Sequence, residues 1–137
     1  MPADPAQLRF FVDESALGLG KTLATARRDV IHSGHPLIPE APLGALDPQW
    51  IPAVSSRGLA VIARDKRVRS KPAEVALLRQ HGMKVFWLAG KRDLSTWDAL
   101  VRIVWRWSEI ERVLDERSDR PWFYAVTENA LREMTLR

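Results

Sequence analysis

The hydrophobic positions along the chain follow two alternating patterns. Short, nearly continuous apolar runs occupy residues 8–12, 59–63, 84–89 and 122–127, and a shorter run at residues 29–32 has Val30 and Ile31 at its centre. In the stretches between them, apolar residues recur every three or four positions. Continuous runs are typical of strands buried on both faces of a parallel sheet, and the longer spacing is typical of helices. The pattern therefore predicts strands that alternate with helices.

Local signals set the expected bounds of four helices, at residues 16–28, 47–57, 70–81 and 95–117. Asp47 is expected to cap the second helix, because Pro48 follows it and proline is favoured at a first helical position. Ser95 is expected to cap the last helix, with Asp98 three residues later. The positions of this helix predicted to face the core are Leu100, Val104, Trp107, Ile110 and Leu114.

The remaining segments complete the predicted fold. Residues 33–46 contain three prolines, which exclude regular structure, and residues 131–136 are predicted to return as the partner of a hairpin. The whole pattern predicts an α/β fold: a single three-layer domain with a mostly parallel sheet, helices on both faces and a C-terminal strand or hairpin. Residues 1–7 are expected to be a flexible lead-in, and residues 8–137 to form the domain.

Composition narrows the class of protein. The 137 residues are 46% hydrophobic and 28% charged, which suits one globular domain. Cysteine is absent, which excludes disulfides and thiolate metal sites and favours a cytoplasmic location. No apolar run approaches the ~20 residues that span a bilayer, and the first seven residues do not resemble a signal peptide. The net charge of +4 is compatible with a polyanionic partner.

Four aspartates occupy related places in the predicted topology. Asp13 follows the first apolar run, Asp65 follows the third, and Asp93 comes shortly after the fourth. Asp47 begins the helix that follows the proline-rich loop. The carboxyl ends of parallel strands meet at one edge of a sheet, where ligands commonly bind. Carboxylates held together repel one another, and a hard cation such as Mg²⁺ or Mn²⁺ relieves that repulsion. The acids therefore predict a metal site.

Basic residues surround one of these acids. The cations beside Asp65 are Arg64, Lys66, Arg67, Arg69 and Lys71. Metal-binding carboxylates next to phosphate-binding cations are the expected polarity of a nuclease site. Taken singly, each acid is more typical of a cap or turn, and the basic run of a solvated loop. Their shared topological position is what favours the nuclease interpretation.

Other motifs are weaker. Residues 18–22 lack the first glycine of a phosphate-binding loop, so that interpretation is rejected. Ser15 has no convincing histidine–aspartate partnership, which argues against nucleophilic catalysis. His32 and His35 have no evident third ligand, and we expect a surface or packing role for them. The six tryptophans are mostly expected in the core, but Trp105 and Trp107 point to different sides of one helix, which leaves one of them available to a partner.

A family resemblance rests on three blocks of sequence. Residues 10–13, 46–50 and 61–67 with 71–74 resemble the PIN-like domains of VapC-type toxins, in order and spacing, over nearly the whole chain. The resemblance implies a metal-dependent endoribonuclease, in which Asp13, Asp47 and Asp65 bind Mg²⁺ or Mn²⁺ and Asp93 assists. Pro48 and Gln49 replace further acids that relatives often carry after the residue matching Asp47.

The resemblance also implies partners and products. Hydrolysis of RNA phosphodiesters would leave a 5′-phosphate and a 3′-hydroxyl. PIN-like toxins are commonly dimers bound to an inhibitory partner. The expected partners are therefore RNA, a cognate antitoxin protein and a second copy of the chain. No interaction with a membrane is expected. The alternative is a catalytically weak or inactive PIN-like module that binds RNA. A receiver-like phosphoacceptor domain is disfavoured by the cations around Asp65.

Overall fold

Six strands and four helices lie within residues 3–64, 71–90 and 94–136, which the computed structural model describes. The strands are β1 (Phe10–Val12), β2 (Val30–His32), β3 (Ala60–Arg64), β4 (Lys84–Leu88), β5 (Trp122–Val126) and β6 (Leu131–Met134). The helices are α1 (Leu17–Ala26), α2 (Asp47–Ser56), α3 (Pro72–Gln80) and α4 (Thr96–Glu116).

The strands form one sheet in the order β2-β1-β3-β4-β5-β6. The first five are parallel, and β6 returns antiparallel to β5. The turn before β6 closes with a hydrogen bond of 2.9 Å from the Thr127 amide to the Ala130 carbonyl. The predicted parallel sheet and C-terminal hairpin are confirmed. In this topology the carboxyl ends of β1, β3, β4 and β5 share one edge.

Helices cover both faces of the sheet, which confirms the predicted three layers. Ile51 and Val54 of α2 and Val75 and Leu78 of α3 are buried against one face. The buried residues of helices α1 and α4 pack against the other face of the sheet. No helix in the described ranges is long and apolar enough to cross a membrane.

Two glycines allow α1 to lie close to its neighbours. A Cβ atom on Gly20 would meet the Cβ atoms of His32 at 2.8 Å and Val12 at 2.9 Å, and one on Gly18 would meet Thr96 Oγ1 at 2.5 Å. Such distances leave no room for a methyl group. Both glycines are inside a helix packed on the sheet, which explains them without a phosphate-binding loop.

Helix α4 differs from the sequence prediction on one face. Its buried residues are Ala99, Ile103 and Ile110, whereas Val104, predicted to face the core, is 60% exposed. Trp107 packs on Phe10 with ring centroids 4.9 Å apart, while Trp105 is 73% exposed. The prediction that these two tryptophans lie on different sides is confirmed. Val104 is about 100° around the helix from the buried Ile103 at 100° per residue, so it lies beyond the partly buried Leu100 and faces solvent.

The described part of the predicted lead-in is attached to the domain. Residues Pro5–Gln7 form a turn of 3-10 helix, and the Asp4 carboxylate accepts a hydrogen bond from the Ala6 amide at 3.0 Å. The Asp4 amide donates to the Arg28 carbonyl at 2.8 Å. One backbone hydrogen bond thus joins residues 3–7 to the domain beside the entry to β2, and the flexibility of the lead-in stays a prediction.

An ion-pair cluster joins β1, β2 and α4 at the amino edge of the sheet. The buried Asp29 carboxylate accepts hydrogen bonds from Arg9 at 2.9 Å and Arg27 at 2.8 Å. Glu111 of α4 also accepts a hydrogen bond from Arg9. Burial would raise the pKa of Asp29, but hydrogen bonds from Arg27 and Arg9 outweigh it and hold this pKa below its ordinary value.

Replacing Asp29 tests this cluster. We expect Asp29→Asn to lower the free energy of unfolding by about 2–3 kcal/mol, because two arginines lose a buried anionic partner. A carboxyl group with a lowered pKa in the folded state stabilises the fold above its unfolded pKa of about 3.9, and this contribution is lost as pH falls through the lower folded value. The difference from wild type in urea unfolding should therefore be full at neutral pH and shrink below about pH 4.

Asp115→Asn is the matched control. Asp115 lies 3.7 Å from the same Arg9 but its side chain is 70% exposed, so its removal should leave stability nearly unchanged. Equal losses for the two variants would contradict the assignment.

Candidate active site

A cavity of about 170 Å³ opens at the carboxyl ends of β1, β3 and β4 on the side covered by α2 and α3. Hydrophobic side chains from the sheet and both helices form its floor. Among the residues that the structure describes, three acids line the same cavity. Its polar and charged lining residues are Asp13, Ser15, Asp47, Arg64 and Glu74.

The end of β1 is fixed to the end of β3 by two hydrogen bonds. The Asp13 amide donates to the Ile62 carbonyl at 2.9 Å, which extends the parallel ladder one residue beyond β1. The Arg64 amide donates to Ser15 Oγ at 3.0 Å. Asp13 Oδ2 accepts a hydrogen bond from the Ser15 amide at 3.1 Å and so caps the short 3-10 turn Glu14–Ala16. Asp13 is thereby held at the rim of the cavity.

Helix α2 brings the second acid. Leu46, not Asp47, occupies the cap position, because the Leu46 carbonyl accepts from both the Gln49 and Trp50 amides. The predicted cap is therefore wrong by one residue, and Asp47 begins the helix. Asp47 Oδ1 accepts a hydrogen bond of 2.9 Å from Trp50 Nε1, and the Trp50 ring stacks on Phe11 with centroids 5.6 Å apart. A tryptophan packed on β1 thus orients the carboxylate.

Helix α3 contributes an acid that the sequence reasoning did not select. Glu74 is in the first turn of α3 and lines the cavity, 3.7 Å from Lys71. A helix that follows a parallel strand begins at the carboxyl edge of the sheet. An acid in the first turn after the third strand therefore belongs to the same edge, and this signal was present in the sequence.

The three carboxylates supply oxygen atoms, the ligand type that Mg²⁺ and Mn²⁺ prefer. However, no three His, Asp or Glu side chains in residues 3–64, 71–90 and 94–136 are grouped closely enough to hold a metal ion. The donor chemistry fits a hard cation, whereas the spacing of these acids alone does not make a three-ligand centre.

The comparison with known families decides the fold family. A family model described as a PIN like domain matches residues 8–90, more than half of the chain. The chain belongs to the PIN-like domain family. PIN-like domains are commonly nucleases, so membership indicates a nuclease-type function. No curated protein and no solved structure matches the chain significantly.

The structure of this PIN-like domain shows where several of the predicted site residues lie. Asp13 and Asp47 line one cavity, together with Arg64 at the end of β3, and their roles as metal ligands stay a prediction. Lys71 is exposed beside Glu74. The other predicted site residues lie outside the described ranges: Asp65, Asp93, Lys66, Arg67 and Arg69.

The proline-rich loop before α2 is packed against the PIN-like core. It contains no helix or strand, as predicted, but Ile38 and Ala41 are fully buried. Glu14 Oε1 accepts a hydrogen bond from the Gly44 amide at 2.5 Å, which ties the loop to the end of β1. Glu14 therefore supports the loop that leads to Asp47, rather than lining the cavity.

The two histidines at the start of this loop have a packing role, as expected. Their rings meet edge to face with centroids 5.1 Å apart, and His35 Nδ1 accepts from the Leu37 amide at 3.0 Å. Burial lowers the pKa of His35, and the neighbouring His32 lowers it further. Neither ring lines the cavity, and Ser15 has no histidine beside it there.

The hydrogen bond between Ser15 and Arg64 is open to a direct test. We expect Ser15→Ala to lower the free energy of unfolding by about 1–2 kcal/mol and to speed hydrogen exchange of the Arg64 amide, since that amide loses its acceptor. Ser56→Ala is the control: its hydroxyl bonds the Ala53 carbonyl on the exposed end of α2, and its loss should change stability by less than about 0.5 kcal/mol. Unchanged exchange at Arg64 would contradict the assignment.

Proposed function

We propose that this PIN-like domain is a metal-dependent endoribonuclease that hydrolyses RNA phosphodiesters. The observation that carries the proposal is the convergence of Asp13, Asp47 and Glu74 on one cavity at the carboxyl edge of the sheet. Family membership supports nuclease chemistry. The three acids come from three separate elements, so the fold rather than local sequence brings them together.

Mg²⁺ or Mn²⁺ is the proposed cofactor. Asp13 and Asp47 are the first candidate ligands because hydrogen bonds already orient their carboxylates. Glu74 is the third candidate. Asp65, which directly follows the cavity residue Arg64 in sequence, is proposed to complete the set, with Asp93 assisting. A bound divalent ion would lower the pKa of a water molecule and stabilise charge on the phosphate.

Basic residues are proposed to hold the RNA backbone. Arg64 lines the cavity, and Lys71 is exposed before α3. Lys66, Arg67 and Arg69 lie between them in sequence. The cavity is smaller than the ~300–1,000 Å³ of sites that enclose whole ligands. We therefore expect RNA to lie across its mouth and to present one phosphate to the acids.

Single substitutions of the acids test the proposal. Asp13→Asn, Asp47→Asn and Glu74→Gln should each lower the rate of Mn²⁺-dependent cleavage of a fluorescent single-stranded RNA by on the order of 100-fold or more. Glu116→Gln, at the far end of α4, should cleave at the wild-type rate. Thermal unfolding of each variant should match wild type, because the amides keep the hydrogen-bond acceptors used by Ser15 and Trp50.

Glu74→Gln distinguishes a metal site that includes Glu74 from a metal site formed by aspartates alone. If the Asp13 and Asp47 variants are inactive while Glu74→Gln retains full activity, Glu74 is not part of the metal site. Full activity of Asp13→Asn would overturn the nuclease assignment itself.

A second candidate function is RNA binding without cleavage. It is favoured by the absence of a three-ligand group among the described acids. An RNA-binding module would retain its affinity for RNA in the presence of a chelator and would show no cleavage at any Mn²⁺ concentration. Chelator-sensitive cleavage would exclude it.

We also propose a biological role as the cytoplasmic toxin of a toxin–antitoxin pair, supported by the resemblance to VapC-type toxins. Induced expression of the chain should arrest bacterial growth, and co-expression of the adjacent open reading frame should relieve the arrest. Expression of Asp13→Asn should not slow growth. Equal arrest by wild type and this variant would contradict a role for cleavage in toxicity.

A further inference from the structure

A groove of about 820 Å³ lies beside α4, at the same edge of the sheet as the active-site cavity. The walls of this α4 groove are Ala89 and Gly90 after β4, Thr127 and Glu128 after β5, and the amino-terminal half of α4. The active-site cavity lies at the ends of β1, β3 and β4, so both adjoin the end of β4. Neighbouring strands are about 4.8 Å apart, which puts the end of β5 roughly 10 Å from the end of β3. One RNA strand that enters the cavity is therefore within reach of the groove.

Trp105 forms an aromatic wall of the α4 groove. Its side chain is 73% exposed, although tryptophan is largely apolar. Proteins that bind single-stranded nucleic acid stack unpaired bases on exposed aromatic rings of this kind. Because every base has an aromatic face, Trp105 favours a base as the ligand without selecting which one.

Arg102 supplies hydrogen-bond donors one helical turn from Trp105. Its Nη1 donates to the Ala89 carbonyl, which fixes the guanidinium in the groove wall. Gly90 leaves the space for this group: its φ is +129°, and a Cβ atom there would lie 2.8 Å from Arg102 Nη1. A guanidinium carries five N–H donors in one plane, so those that Ala89 does not use can bind a ligand. Guanine offers two acceptors, O6 and N7, that arginine matches well.

Glu128 supplies hydrogen-bond acceptors from a different element. It is exposed in the turn between β5 and β6, and Thr127 Oγ1 fixes this turn by accepting from the Ala130 amide at 3.0 Å. An ionised carboxylate accepts hydrogen bonds and cannot donate them. The Watson–Crick edge of guanine presents two neighbouring donors, N1 and N2, whereas each of the other three bases has an acceptor next to its donor. A carboxylate in the groove therefore selects guanine.

The charges of the groove favour a neutral base over a phosphate. Among the described residues that line it, two are basic and two are acidic: Arg102, Arg106, Asp98 and Glu128. Asp98 is seven residues from Trp105, which is roughly 10 Å along α4 at 1.5 Å per residue. A base stacked on Trp105 is therefore beyond the reach of Asp98, which leaves Glu128 as the acceptor.

We propose that the α4 groove binds a guanine base of the RNA, stacked on Trp105. Arg102 donates to O6 and N7 of this base, and Glu128 accepts from N1 and N2. The inference rests on the proposed function, in that RNA is the molecule that the active-site cavity holds. It adds a sequence preference to that function, because a guanine held in the groove fixes which phosphate reaches the acids.

Fluorescence anisotropy in EDTA measures RNA binding without the proposed cleavage. The probes are short labelled oligouridines that carry one central guanosine, inosine or adenosine. Wild type should bind the guanosine probe about tenfold more tightly than the adenosine probe. The inosine probe should lie between them, because inosine lacks the N2 amine. Equal affinity for all three probes would overturn the proposal.

Glu128→Gln tests the assigned acceptor. This variant should bind the guanosine and adenosine probes nearly equally, because an amide keeps only one acceptor oxygen. Asp98→Asn is the matched control: it removes the same charge from the same groove and should keep the preference for guanosine. Loss of the preference in Asp98→Asn but not in Glu128→Gln would refute the proposed position of the base.

Trp105→Ala tests the stacking platform. It should weaken binding of the guanosine probe about tenfold, and Trp105→Phe should recover most of the affinity. Trp97→Ala is the control, since Trp97 is 69% exposed on the same helix but does not line the groove. Circular dichroism checks that the variants are folded. If Trp105→Ala binds RNA normally but no longer co-purifies with the product of the adjacent open reading frame, this face binds a protein and the proposal fails.

Guanosine monophosphate distinguishes a free nucleotide from a base within RNA. It should compete with the guanosine probe at least about 100-fold less well than unlabelled RNA, because contacts linked along one strand reinforce each other. Equal competition would identify a nucleotide site and overturn the proposal. A preference for guanosine without Mn²⁺-dependent cleavage would reject the nuclease function and leave the groove assigned. Cleavage at positions unrelated to guanosine would reject the groove and leave the nuclease function.

Discussion

The parallel pairing of β1 with β3 is the constraint on which the candidate site depends. These strands lie side by side in register, so the residues that follow them arrive at the same edge. The Asp13 amide continues the ladder to Ile62, and the Ser15 hydroxyl accepts the Arg64 amide. A slip of one residue would turn alternate side chains to the other face of the sheet. These two hydrogen bonds therefore hold both the position and the orientation of the first acid.

The other acids depend on helices that start at the same edge. Asp47 is in the first turn of α2 and Glu74 in the first turn of α3. An acid in the first turn of a helix also interacts favourably with the helix dipole, so its presence there costs little stability. Trp50 orients Asp47 while packing on Phe11 of β1. The site thus uses side chains that also serve the packing of the fold.

The two faces of the sheet have different roles. Helices α2 and α3 complete the cavity, whereas α1 and α4 cover the opposite face and present surface to solvent. Close packing of α1 depends on two glycines whose Cβ atoms would collide with neighbours. At the amino edge, Arg9 and Arg27 compensate the buried charge of Asp29 and link the first two strands to α4. The ion-pair cluster and the candidate site therefore lie at opposite edges of the sheet, so residues of one can be replaced without altering the other.

The sequence by itself determined the order of strands and helices, the parallel sheet, the hairpin, and the convergence of Asp13 with Asp47, because continuous apolar runs and helical spacing are local properties of the chain. Glu74 was also accessible from the sequence, since a helix that follows a parallel strand begins at the carboxyl edge of the sheet. Two features were decided only by the tertiary structure. Asp47 bonds the Trp50 indole because the Leu46 carbonyl takes the first helical hydrogen bonds. Val104 faces solvent because the contact of α4 with the sheet is centred on Ile103 and Ile110. Periodicity along one helix defines its faces, but the neighbours it packs against decide which of them is buried.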